Sequence, residues 1–130
     1  MKLEDLVQKF MEELGLTAPL KSSTPGGFSI PLEESVTVNL SPLSPFGFEL
    51  RSEFVDCPKE DLESIFTELL HANLFTQGTK GACLGLNEQK NRLVLTQQIT
   101  TDISYETFTH LIEDFINTID FWREELTNKQ

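Results

Sequence analysis

Five of the chain's six prolines fall between Thr17 and Pro45: Pro19, Pro25, Pro31, Pro42 and Pro45. Proline lacks the backbone N–H and clashes with the preceding helical turn, so this stretch cannot be a helix. Its apolar residues alternate instead, as Phe28, Ile30, Leu32 and again as Val36, Val38, Leu40. That period predicts two short strands with a turn near Glu33-Glu34-Ser35. Pro31 cannot donate to a ladder, which predicts an edge strand or an irregular pairing there. Phe46, Phe48, Leu50 and Phe54 predict a third strand, and its other face, Gly47, Glu49, Arg51 and Glu53, suits water.

Both sides of this extended region show the helical period. Leu3, Leu6, Val7, Phe10, Met11 and Leu14 form one face of a helix over 2–14, with Gly15 as its stop. Pro58 fits the first turn of a second helix, whose apolar positions are Leu62, Ile65, Phe66, Leu69, Leu70 and Leu74. A loop bracketed by Gly78 and Gly81 follows. Ala82, Leu84 and Leu86 alternate with Cys83 and Gly85 in a fourth strand, and the small residues at 83 and 85 predict close approach of something to that face. After a polar turn from Asn87 to Asn91, Leu93, Leu95 and Ile99 predict a fifth strand. Ser104 is an N-cap candidate for a last helix striped by Phe108, Leu111, Ile112, Phe115, Ile119, Trp122 and Leu126. The order α-β-β-β-α-β-β-α predicts an α+β fold, a twisted antiparallel sheet packed with helices. One domain over 1–130 is expected, with a flexible Pro/Gly-rich loop at 17–27 and a tail at 127–130.

Charge limits the partners. Ten Lys and Arg stand against 21 Asp and Glu, a net charge of −11. Phosphate neutralisation needs clustered cations, so nucleic acid is not expected as the partner, nor is an anionic membrane face. Ten phenylalanines within a 38% hydrophobic composition argue against disorder. Seven of the 21 acids fall within 102–125, mostly off the apolar stripe, and four more flank the first helix. The charge therefore reads as a solubilising coat around apolar surfaces.

No motif points to catalysis, and neither a catalytic residue, a metal site nor a cofactor is expected. Two cysteines without a CxxC pattern suit a reduced, cytosolic chain. A Cys–His pair would have to draw on His71 or His110, both in helical segments. The adjacent acidic pairs point about 100° apart on a helix and do not converge on one ligand. Neither a P-loop nor a dinucleotide fingerprint occurs. The charged N-terminus carries no apolar signal core, and no apolar run approaches the ~20 residues of a membrane helix.

Binding features are better supported. The first strand, flanked by Pro and Gly, is a plausible open edge for an extended peptide, although residues 17–27 could cover it. The apolar arc of the second helix is wide, about 140° from Leu62 to Leu70 and about 180° with Leu74. One part of such an arc could pack on the sheet and another on a second subunit. Phe121 lies off the last helix's stripe as an exposed aromatic.

This pattern resembles the class I type III secretion chaperones, the Tir chaperone (CesT-like) family. The most telling stretch is LLHANLFTQGTKGACLGLNEQKNRLVL, residues 69–95. It holds a Leu-Leu-x-x-Asn helix end (Leu69, Leu70, Asn73), a Gly-bounded loop, a small-residue strand, a polar turn and a Leu-Val-Leu strand. A closing helix with a late Trp122 and the acidic pI fit as well. The long 17–27 segment departs from the pattern. The resemblance implies a non-enzymatic protein of the bacterial cytoplasm, linked to virulence, that holds the N-terminal segment of a secreted effector in extended form. It implies effector contacts at Leu6, Phe10, Met11, Phe28 and Ile30. It also implies a homodimer through Leu62, Ile65, Phe66 and Leu69, or pairing with a related chaperone. A dimeric adaptor or regulatory binding module of similar topology is the competing expectation.

Overall fold

The computed structural model describes residues 2–15, 20–21, 26–33, 36–43, 46–75, 82–89 and 91–128. Among these residues, three helices, α1 (Leu3–Glu13), α2 (Leu62–Phe75) and α3 (Tyr105–Asn128), accompany six strands. The strands are β1 (Leu20–Lys21), β2 (Phe28–Glu33), β3 (Val36–Pro42), β4 (Phe48–Asp56), β5 (Cys83–Leu86) and β6 (Arg92–Ile99). They form one antiparallel sheet in the order β1-β2-β3-β4-β6-β5. The α+β architecture expected from the sequence is what the chain adopts.

Register explains the layering. Ile30 lies opposite Val38, Leu40 opposite Leu50, Ser52 opposite Leu95, and Leu95 opposite Leu84. All seven side chains are buried, so these residues line one face of the sheet. The other face carries Ser29, Asn39, Glu49, Arg51, Glu53, Thr96 and Gln98, joined by the Ser29–Asn39 and Gln98–Glu49 hydrogen bonds. The stripe Phe108, Ile112, Phe115, Ile119, Trp122, Leu126 of α3 is fully buried. The Phe48–Phe108 edge contact at 5.9 Å places that stripe on the apolar face. Ser104 caps α3, its Oγ accepting from Thr107 N–H at 3.1 Å. Gly15 ends α1 at φ 72, its N–H donating to the Glu12 carbonyl.

Several sequence expectations require correction. The 17–27 segment is not wholly loop, because Leu20–Lys21 pairs with Phe28 and Ser29. The expected tail is helical through Asn128. Strand β4 begins at Phe48, since Gly47 at φ 101 interrupts the extended backbone and leaves Phe46 outside the strand, 62% exposed. Helix α2 starts at Leu62, past Pro58, where the Asp61 carbonyl accepts the Ile65 N–H. A Cβ at Gly85 would meet nothing within 4 Å, and Cys83 is exposed, so among the described residues nothing closes on that face. The register of β2 shifts between Pro31 and Glu33, the irregular pairing that Pro31 predicts. The turn at Glu34-Ser35, the Gly78–Gly81 loop and the side chains of Leu32 and Leu74 lie outside the described residues.

Candidate functional site

Helix α2 carries two apolar faces. Ile65, Leu69 and Ala72 follow the i, i+4, i+7 spacing and enter the core. Leu62, Phe66 and Leu70 follow i, i+4, i+8 on an adjoining line, where Leu62 is 40% and Leu70 67% exposed and Phe66 is half-buried. The wide arc seen in the sequence thus divides into an inner and an outer stripe. Of the residues expected at a dimer interface, Ile65 and Leu69 are corrected to core positions, 2% and 6% exposed. Leu62 and Phe66 remain on the surface, and Leu70 joins them.

A contact the sequence hides ties this helix to the sheet. Asn73 donates from Nδ2 to the Leu84 carbonyl at 2.8 Å and accepts the Leu84 N–H on Oδ1 at 2.7 Å. An amide side chain here takes the place of a neighbouring strand along the outer edge of β5. It satisfies backbone groups that an edge strand otherwise leaves open. Asn73 lies in the Leu-Leu-x-x-Asn stretch, but nothing in a linear pattern announces a partner eleven residues on.

The region around α1 is equally specific. Phe10 meets Phe108 edge-on at 5.9 Å, and the Tyr105 ring lies 6.4 Å from Phe108. Tyr105 donates its hydroxyl to Glu13 at 2.8 Å, while Lys9 Nζ stands 4.5 Å over the ring. Burial first, then the bond to Glu13 and its negative charge, pushes the Tyr105 phenol up to about 12. Leu6, Met11 and Ile30, expected to touch an effector, are 1%, 5% and 1% exposed, and are corrected to core residues. Their spacing marks an inward face, and a helix or strand has only one such face to give the core. Phe10 and Phe28 are half-buried and pack against that core.

A surface the sequence did not single out lies beyond the N-terminal end of α1. Lys2, Leu3, Pro42, Leu43, Phe46, Gly47, Phe48, Thr101, Asp102 and Ile103 line a groove of about 610 Å³. Chemistry of other kinds is thinly represented. His71 and His110 are exposed. Burial pushes the Cys57 thiol up, away from the reactive thiolate form. Among the described residues no group of three or more His, Cys, Asp or Glu could hold a metal ion. Among them, too, no helix is long and apolar enough to cross a membrane.

Known proteins share this fold. The model of the Tir chaperone protein (CesT) family matches residues 5–123. A Chlamydia pneumoniae protein is 26% identical over 125 residues, covering 95% of each chain. Among solved structures, the HopA1–SchA chaperone–effector complex superposes with a TM-score of 0.72 at 20% identity, covering 93% of this chain and 92% of that one. The Yersinia pestis type III secretion chaperone SycH, solved with a stable fragment of YscM2, gives a TM-score of 0.70 at 16% identity, covering 91% and 97%. The family match spans nearly all of α1, the Asn73–Leu84 clamp and both stripes of α2, and this chain belongs to the Tir chaperone (CesT) family.

Proposed function

We propose that the chain is a non-enzymatic chaperone of type III secretion, working in the bacterial cytoplasm. It holds the N-terminal segment of a secreted effector in extended form and keeps it competent for export. The observation that carries this is membership of the Tir chaperone family across 5–123. Support comes from two relatives of the same fold that were solved with bound partners, an effector in one and a YscM2 fragment in the other. Affinity in such a scheme comes from side-chain pockets and strand pairing, and no nucleotide, metal or catalytic group enters it.

The protomer assembles through the outer stripe of α2, Leu62, Phe66 and Leu70, with itself or with a related chaperone. Ile65 and Leu69 hold that stripe in place from beneath. Phe10 and Phe28 are the two remaining effector-contact residues, with Leu6, Met11 and Ile30 as their packed support. The −11 charge keeps a protein with such surfaces dispersed. Co-expression with secreted proteins of the same bacterium, followed by light scattering and limited proteolysis, tests the proposal. A chaperone gives a complex in which the effector's N-terminal segment is bound but not folded. Recovery of regulators or metabolic proteins alone would favour a dimeric adaptor instead.

A further inference from the structure

We infer that the outer edge of β5 is a latent strand-pairing surface for a second copy of this chain, and that the Asn73 amide keeps it shut. The inference does not depend on the chaperone proposal. Strand β5 ends the sheet, with β6 on one side and no described strand on the other. Along an antiparallel strand, peptide groups face the partner at every second residue and face away at the residues between. Leu84 faces away, because Asn73 accepts its N–H at 2.7 Å and donates to its carbonyl at 2.8 Å. Asn87 faces β6, its N–H donating to the Arg92 carbonyl at 3.1 Å. The alternation therefore turns the peptide groups of Cys83 and Gly85 to β6, and those of Leu84 and Leu86 outward.

An edge strand invites another chain unless charge, proline, a bulge or a covering element blunts it. At the other end of the sheet, β2 carries Pro31, a register shift between Pro31 and Glu33, and the short β1 beside it. Strand β5 has none of these. Cys83–Leu86 holds no charge and no proline, and its register with β6 runs unbroken. Cys83 and Gly85 are exposed, and Leu86 is 38% exposed. What β5 has instead is Asn73, whose side chain offers one N–H donor and one carbonyl acceptor in the geometry of a peptide unit. Buried Leu69 and Ala72 hold that turn of α2 against the core, so the amide is fixed in place. With Leu84 occupied, only Leu86 is left for a partner strand. Without Asn73, Leu84 and Leu86 together present two N–H and two carbonyl groups. That is enough for β5 of one copy to pair with β5 of another about a two-fold axis.

Light scattering of the full chain over rising concentration, read beside amide hydrogen exchange, tests this. Asn73→Ala is expected to reach at least about twice the wild-type mass while keeping a native circular-dichroism spectrum. Exchange at its Leu84 and Leu86 amides, fast in dilute solution, is expected to slow at least about tenfold as the mass rises. Asn73→Asp also breaks the clamp but sets a carboxylate on the edge, which repels its counterpart on a second copy, so the wild-type mass is expected. Asn73→Ala/Leu86→Lys puts a cation on the same edge and is expected to restore the wild-type mass without restoring the melting temperature. A constant mass in Asn73→Ala overturns the inference, as does exchange at Leu84 and Leu86 that stays fast while the mass rises. Equal association of Asn73→Ala and Asn73→Asp overturns it too, because lost stability would then account for both. A labelled peptide of residues 82–87 adds a check that needs no variant to fold. It is expected not to bind wild type, and binding that slows exchange at Leu86 would show the edge open despite the clamp and sink the inference.

Discussion

Asn73 of α2 and Leu84 of β5 form a two-bond clamp, amide to peptide, at 2.8 and 2.7 Å. The clamp joins the helix that carries the outer apolar stripe to the free edge of the sheet, so the presentation of Leu62, Phe66 and Leu70 depends on it. Asn73→Ala removes both bonds and leaves the Leu84 groups to water. A loss of about 1–3 kcal/mol is expected in denaturant unfolding. Asn73→Asp keeps the acceptor but sets a carboxylate oxygen against the Leu84 carbonyl, and is expected to be no better than Ala. Hydrogen exchange at the Leu84 amide gives a local check: it should quicken in both variants.

The helices were the most legible part of the fold. The α3 stripe from Phe108 to Leu126 repeats the helical period for five turns, and Ser104 marks its start by a side chain favoured at a cap. Local pattern could not sort the two stripes of α2, because Leu62 and Ile65 are equally apolar and only the packed fold buries one and exposes the other. Nor could it separate Phe46 from Phe48. Alternation puts both on one face, and only the positive φ at Gly47 turns Phe46 out. Strand β1 is two residues long, too short for any period to register. The burial of Leu6, Met11 and Ile30 is illegible for a related reason: a residue good for gripping a client is also good for the core, and only the fold shows which of the two surroundings it meets.

Tyr105 offers a clean titration, because it is the chain's only tyrosine. Its phenol is expected to ionise near pH 12, against an ordinary value of 10. Because the folded value lies above the unfolded one, the stabilisation of the neutral phenol, from its burial first and then from the bond to Glu13, is complete below pH 10 and is lost as pH rises through about 12. Phenolate absorbance against pH measures it directly. Glu13→Gln removes the negative charge and should move the curve back toward the ordinary value.

Ser52 stands in the middle of the sheet, fully buried, and its hydroxyl has no hydrogen-bond partner among the described residues. An unpaired buried hydroxyl carries a desolvation cost of about 1–3 kcal/mol. Ser52→Ala removes the hydroxyl at nearly constant shape and is expected to stabilise the chain by about 1 kcal/mol. A rise in denaturant midpoint with an unchanged slope is the signature. A fall would mean that the hydroxyl is bonded in solution.

Gly47→Ala is expected to cost at least about 2 kcal/mol, from a φ that L residues rarely adopt together with a new methyl against backbone. The Cβ would collide with the Ile99 carbonyl oxygen and press on the Ile99–Thr100 backbone, where there is no flexible side-chain end to yield. Thermal unfolding measures the loss.

Ile65 and Leu70 are neighbours on one helix with opposite surroundings, and the pair separates assembly from folding. Leu70 is 67% exposed, so Leu70→Asp places a charge in water in the protomer and removes nothing from its core. If the outer stripe of α2 is the subunit contact, that charge is desolvated only in the dimer, and an unpaired buried charge is strongly unfavourable. Leu70→Asp is therefore expected to give a folded protomer at half the mass by light scattering, with a native circular-dichroism spectrum. Ile65 is 2% exposed, and Ile65→Asp carries the charge into the core of the protomer itself. It is expected to unfold or aggregate whatever the oligomeric state. An intact dimer in Leu70→Asp would place the subunit contact elsewhere, while a folded Ile65→Asp would contradict the inner stripe.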